Sequence, residues 1–295
     1  MNDSYFCSQD CFKKNWKQHK TLHKTGQGET YNVAGFYTPF PTYPFTGSVR
    51  PVYPLSAKLT VPKSIPQPDY AETGIAESER RLNRAKIDIL DAKGQEAMRK
   101  VCRLARQVLD IAAAEVKPGV TTDYLDEVCH KACIERNRIL LDGDIINLDV
   151  SLYHEGYHAD VNETYYVGDR AKADPDSVRI VETTRECLDK AIQLVKPGTL
   201  IKEFGNAIER HAKSRNCRVV ANWGGHGINT SFHPPPWIPH YAKSKAVGIC
   251  KPGMTFTIEP ILALGNPREV YWPDAWTNAT VDGKRTAQFG MYKEH

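Results

Sequence analysis

The chain has 295 residues, a formal net charge of +4, and 41% hydrophobic against 25% charged residues. That is the composition of an ordinary globular protein and excludes a disordered or fibrous one. Its apolar runs fall far short of a bilayer's thickness and its N-terminus is polar and Lys-rich, so neither a transmembrane helix nor a signal peptide is expected.

Residues 1–24 hold five Lys against two Asp, most of the excess charge. That balance suits an acidic partner such as RNA, or simply a solvated tail. Cys7-x3-Cys11 is followed by His19-x3-His23, thiolates and imidazoles at spacings able to hold zinc tetrahedrally. The segment is read as a partial zinc-finger-like unit, the alternative being a tail with incidental Cys and His. The eight cysteines are otherwise scattered, as reduced thiols of a cytoplasmic protein would be.

Residues 25–90 form a Pro/aromatic-rich linker. Eight prolines fall between Pro39 and Pro68, interleaved with Tyr37, Phe40, Tyr43, Phe45 and Tyr53. Such a stretch blocks helix and central strand and is expected to run extended along a neighbouring surface. ESERRLNRAKID, residues 77–88, reads as a short charged connector.

Regular structure is expected over 91–295. Ala97/Met98, Val101, Leu104/Ala105, Val108 and Ile111/Ala112 recur at helical spacing, and Lys-Pro-Gly ends that helix. Leu125, Val128/Cys129 and Ala132/Cys133 mark a second amphipathic helix. The pattern then returns. VKPGV at 116–120 is echoed by VKPGT at 195–199, and Arg136-Asn137 by Arg215-Asn216, at one shared offset of 79. An offset common to a whole unit is an internal duplication. DGDIINLDV (142–150) matches PGMTFTIEP (252–260), with Asp149 opposite Glu259. Here the offset is 110. Residues 217–252 lie between Asn216 and Gly253, but only residues 138–142 between Asn137 and Gly143. The first half is therefore shorter at this point, by the difference between those two offsets.

Alternation places Ile146, Leu148 and Val150 on one strand face and Asn147 and Asp149 on the other. A carboxylate on such a strand needs a positive partner, either a basic side chain or a metal. Phe256 and Ile258 likewise oppose Thr255, Thr257 and Glu259, so each half delivers one carboxylate. A site between related halves suits a binuclear metal centre. NWGGHGINTSFH adds His226 in a Gly-rich turn and His233 seven residues later, a candidate ligand and a second imidazole.

LDVSLYHEGYHADVNET, GGHGIN, FHPPPWIPHYA, KPGMTFTIEP and WPDAWTNATVDGKRTAQF together resemble type I methionine aminopeptidase, the eukaryotic cytosolic form, over residues 90–289. The resemblance implies an α/β (α+β) pita-bread fold: pseudo-twofold halves with a curved antiparallel sheet, joined to a zinc-finger extension and linker. It implies removal of the initiator methionine from nascent polypeptides at the ribosome. It also implies two divalent ions (Co, Mn, Fe or Zn), with Asp149 on one, Asp160 bridging, and His226 and Glu259 on the other. These ions would acidify a shared water, polarise the scissile carbonyl and hold the substrate's α-amine. Glu259 would shuttle the proton, His233 would bond the substrate carbonyl, and Phe232 and Trp276 would line the methionine pocket.

Three departures stand out. The family's fifth ligand, a glutamate after Gln-Phe, is replaced by Gly290, with Glu294 four residues on. The shortened first half falls where the family carries another pocket histidine. Cys7 and Cys11 would serve one zinc and His19 and His23 another, leaving each set incomplete unless the four close a single zinc site. Abrupt departures beside a close match suggest a truncated or internally deleted product. The expectation is a monomeric aminopeptidase with impaired turnover. The alternatives are a non-catalytic pita-bread protein binding ribosome or RNA, and an Xaa-Pro peptidase of the same fold.

Overall fold

The computed structural model describes residues 40–47, 49–51, 60–131 and 140–294, by backbone alone at 131 and 292–294. A short helix, α1 (Glu77–Arg80), precedes the long α2 (Ala92–Ala114). Asp91 caps α2 by accepting the Gly94 N–H, which satisfies an end donor that the helix itself cannot. Its buried stripe is Met98, Val101, Ala105, Leu109 and Ala112. Of the pair Ile111/Ala112, Ala112 is the inward residue and Ile111 is 53% exposed. Leu109 rather than the expected Val108 lies between Ala105 and Ala112 on the stripe, which advances by three and four residues. α3 (Thr122–Lys131) follows, and then β1 (Ile145–His154) pairs antiparallel with β2 (Tyr157–Tyr166).

In the second half, α4 (Gly168–Ala173), α5 (Pro175–Ile192) and α6 (Lys202–Ser214) precede nine short strands. These are β3 (Arg218–Val219), β4 (Gly224–His226), β5 (Trp237–Pro239), β6 (Thr255–Ile258) and β7 (Ile261–Ala263), then β8 (Glu269–Tyr271), β9 (Asn278–Thr280), β10 (Thr286–Gln288) and β11 (Met291–Glu294). All strand pairs are antiparallel: β10-β7-β3, β11-β6, β4-β5 and β8-β9. Single bridges at Asn162–Gly290 and Gly227–Phe256 link β2 to β11 and β6 to β4. The path β1-β2-β11-β6-β4-β5 thus runs as one interrupted surface through both halves.

The duplication is visible in the backbone. Gly119 and Gly198, equivalent across the repeat, both lie in the left-handed region at φ 84° and 87°, where a side chain would be strained. Gly119 donates to the Leu140 carbonyl and Leu140 to Val120; Gly198 donates to Cys250 and Cys250 to Thr199. The same ladder closes from Val120 to Leu140 in the first half and from Thr199 to Cys250 in the second. The second span exceeds the first by the shortfall that the two sequence offsets reveal. What the second half holds there includes β3, β4 and β5.

Each half has its own core. Met98, Val101, Leu109, Leu148 and Val161 belong to one, and Ile180, Phe204, Ile208, Phe256 and Phe289 to the other. Phe256 is fully buried against Phe204, with ring centroids 5.7 Å apart. Phe256→Ala is expected to destabilise the chain by ~3–5 kcal/mol, through lost burial and the cavity it leaves. A denaturant midpoint unchanged in that variant would contradict this packing.

The linker's described part departs from the extended run expected of its composition: it turns at residues 40–43, 62–65 and 70–74 and contains α1, while its first residues pack on the second half. Tyr43 donates to the Tyr271 carbonyl, Thr46 to Thr280, and Phe45 meets Trp272 edge-on at 4.8 Å. It therefore braces the β8-β9 hairpin. No helix among the described residues is long and apolar enough to cross a membrane.

Candidate metal centre

In β1 and β2, Asp149 pairs with Asn162 and Asp160 with Ser151. The two aspartates are diagonal neighbours on one face of the ladder, close enough for long side chains to interact. Glu259 follows directly on β6, and His226 ends β4. Residue 225 must be glycine-sized, since a Cβ there would fall on the Thr257 carbonyl; this close approach brings β4 against β6.

Ligand atoms of Asp160, His226 and Glu259 all lie within 4.8 Å of one another. His226 Nε2 is 3.4 Å from Asp160 and 3.3 Å from Glu259. The other ring nitrogen, Nδ1, donates to the Gly227 carbonyl at 2.9 Å, which turns Nε2 toward the carboxylates. Thr257 accepts the His226 N–H at 3.0 Å and donates its hydroxyl to Glu259 Oε1 at 2.6 Å. Gln288 donates to Glu259 Oε2 at 3.2 Å.

Asp149 stands exposed to water on one face of β1. The surrounding protein mass, with Asp160 and Glu259 beside it, pushes its carboxyl up to about 8; water at that open face offsets part of the push. Burial pulls the His226 imidazole down, but its bonds to Asp160 and Glu259 prevail and raise it to about 10. Three carboxylates thus share one imidazole, a donor set short of positive charge. Carboxylates and imidazole suit Mn, Fe, Co and Zn alike.

Both shifts favour protonated forms before an ion binds. His226 contributes stability that is full below its ordinary 6.5 and lost as pH rises toward about 10. The raised Asp149 makes stability fall as pH climbs from its ordinary 3.8 toward about 8. A metal needs both groups deprotonated. Manganese binding at neutral pH is therefore expected to release more than one proton per site, and to tighten as pH rises through 8. Calorimetry in buffers of different ionisation heat reads this directly, and pH-independent affinity would contradict it.

His233 lies beside His226 with ring centroids 4.4 Å apart, its side chain 58% exposed. Phe232 stacks on His226 at 5.7 Å and meets His158 edge-on at 5.5 Å. Trp276 is 87% exposed on the β8-β9 loop and stacks on no ring among the described residues.

Two supporting residues escaped the sequence reading. His240, fully buried and held down to about 3 by burial and the nearby His226, accepts the N–H groups of Gly225 and Glu259, each at 3.3 Å. It pins β4 to the end of β6. Thr257 was placed on the correct face but given no role. Both stand inside quoted motifs, yet neither type signals chemistry without its neighbours.

Position 290 lies at this site. Gly290 exchanges backbone hydrogen bonds with Asn162 at 2.8 and 3.1 Å. A Cβ there would sit 3.1 Å from the Glu259 Cβ and fall on the Asn162 amide. Glu294 pairs with Thr255, four residues along β6 from Glu259, about 13 Å away at strand rise.

The model for metallopeptidase family M24 matches residues 127–292. The chain belongs to that family. Methionine aminopeptidase 1 of Schizosaccharomyces pombe is 52% identical over 98% of this chain and 86% of its own. The Saccharomyces cerevisiae protein of that name is 44% identical over 97% and 80%. Methionine aminopeptidase from Rickettsia prowazekii superposes with a TM-score of 0.65 at 31% identity, over 70% of this chain and 95% of its own. These likenesses bear out the pita-bread fold. The S. pombe alignment spans 326 positions against a chain of 295, so part of that relative has no counterpart here. A second model, described as zf-MYND-like zinc finger, mRNA-binding, matches residues 1–25. Cys7, Cys11, His19 and His23 all lie in that span and outside the described residues.

Proposed function

We propose that this M24 chain is a metal-dependent methionine aminopeptidase that removes initiator methionine from nascent polypeptides in the cytoplasm, with weakened turnover. The observation that carries this reading is the meeting of Asp160, His226 and Glu259, with Asp149 alongside, between the two halves. These four residues would hold divalent ions, of Mn, Fe, Co or Zn. Bound there, the ions supply positive charge that acidifies the attacking water and polarises the scissile carbonyl.

The remaining steps belong to the protein's own side chains. Glu259, oriented by Thr257 and Gln288, takes the proton from the attacking water and returns it to the leaving amine. His233 meets the substrate carbonyl and stabilises its developing charge. Phe232 offers an apolar face to the methionine side chain. Glycine at 290 withholds one carboxylate from the site, and the short first half withholds part of its wall. The basic N-terminal segment, matched by a model described as mRNA-binding, supports contact with ribosomal or messenger RNA.

Hydrolysis of Met-Ala-Ser beside Leu-Ala-Ser tests the reading. The Met peptide is expected to be preferred, with kcat/KM at least ~10²-fold below a complete relative, the scale of losing a metal-positioning group. No preference for Met would overturn the substrate assignment, and a kcat/KM within a few-fold of a complete relative would overturn the impairment. The retained quartet disfavours a purely non-catalytic binding protein.

A further inference from the structure

Besides Asp160, Glu79 is the buried acidic side chain among the described residues. It comes from the charged connector, not from the repeated body. Its Oε1 accepts the N–H groups of Phe232 at 2.6 Å and His233 at 2.7 Å. Its Oε2 lies 3.7 Å from His233 Nδ1. Arg84, five residues on, donates to the His233 carbonyl at 2.8 Å and to Glu79's own carbonyl at 3.3 Å. Among the described residues, every hydrogen bond of the Phe232–His233 backbone goes to this connector.

Such a carboxylate is costly to bury unless its bonds are made, and here they are made to one dipeptide far away in sequence. That dipeptide carries the ring stacked on His226 and the imidazole beside it. The two rings sit on a loop that no strand ladder fixes. Bonds from the connector replace the ladder. The carboxylate 3.7 Å from Nδ1 also biases the His233 ring toward presenting that edge to Glu79.

We propose that Glu79 is a positioning residue, which with Arg84 fixes the Phe232–His233 loop and aims the His233 ring at the substrate carbonyl. This rests on the reading of His233 as the group that meets that carbonyl. The connector is thereby part of the working site rather than a tether.

The test uses the full chain loaded with manganese, comparing Glu79→Ala, Glu79→Gln and the parent. In Glu79→Ala, kcat on Met-Ala-Ser is expected to fall ~10-fold with KM within ~3-fold, as for a group misplaced in the transition state. Amide exchange at Phe232 and His233 is expected to rise at least ~10-fold, while Val150 and Val161, paired in β1-β2, keep their protection. Glu79→Gln retains an acceptor oxygen and should recover most of both. Unchanged kcat, or unchanged exchange at those two amides, overturns the proposal. So does a loss of exchange protection that spreads equally to β1-β2, since that is general unfolding. A parent chain without turnover would defeat the aminopeptidase reading instead. The two amides and the ring 15N resonances of His233 would then still decide the positioning role.

Discussion

Asp160→Asn is expected to cut manganese affinity by at least ~10²-fold and to abolish detectable turnover. The substitution keeps shape and removes charge. Asp160 stands at the centre of the cluster, 3.4 Å from His226 Nε2 and beside Asp149, whose carboxyl it helps to push up. Removing that charge relieves the repulsion on Asp149 but also takes from His226 one of the two carboxylates that keep it protonated, so the two effects on the metal-free chain oppose each other. The same removal takes from a metal the ligand best placed to serve both halves, and loss of even a supporting group around a metal commonly costs ~10–100-fold. Affinity should therefore fall by far more than stability changes. Calorimetry with manganese and a thermal midpoint read both. Unchanged affinity, or a loss of affinity that only tracks unfolding, would contradict a metal role for Asp160.

Gly290→Glu is expected to work in the other direction. Metal affinity should rise ~10-fold or more and kcat/KM by ~10–100-fold, on the same scale. The backbone at 290 is already fixed by its exchange with Asn162, and a Cβ there would lie 3.1 Å from that of Glu259. The new side chain must displace the Asn162 amide, which now accepts from Asn147 at 3.3 Å. That lost bond costs about 1 kcal/mol, less than the gain of one order of magnitude in binding. Gly290→Ala separates the two effects, because it forces the same displacement and adds no carboxylate. Equal behaviour of the Glu and Ala variants in metal titration would show that position 290 does not address the ions.

Much of the site is legible in the amino-acid order. Asp149 and Glu259 can be paired because the duplication is long and its strands alternate, so both carboxylates have to leave the apolar face. The shortfall of the first half follows from two offsets that disagree, and the ladders at Leu140 and Cys250 close those two spans alike. His226 follows from its place between carboxylate-bearing strands. Other features are illegible for physical reasons. Glu79 sits among charges at a spacing typical of a solvated connector, and its partners are distant in the chain. Charge pattern alone cannot separate a carboxylate that caps a distant loop from one that faces water. His240 acts as a neutral acceptor only because burial removes its charge. The inward choices of Leu109 over Val108 and of Ala112 over Ile111 depend on helix phase, which blurs along a helix as long as α2 when both neighbours are apolar.

The most direct test of the account is the number of manganese ions retained by the dialysed chain, read by elemental analysis beside turnover of Met-Ala-Ser. The site described here predicts fewer than two equivalents in residues 91–295, with kcat/KM at least ~10²-fold below a complete relative. Two tightly held equivalents with turnover near that of the relative would show that the glutamate absent at Gly290 is supplied from elsewhere, and would contradict the account.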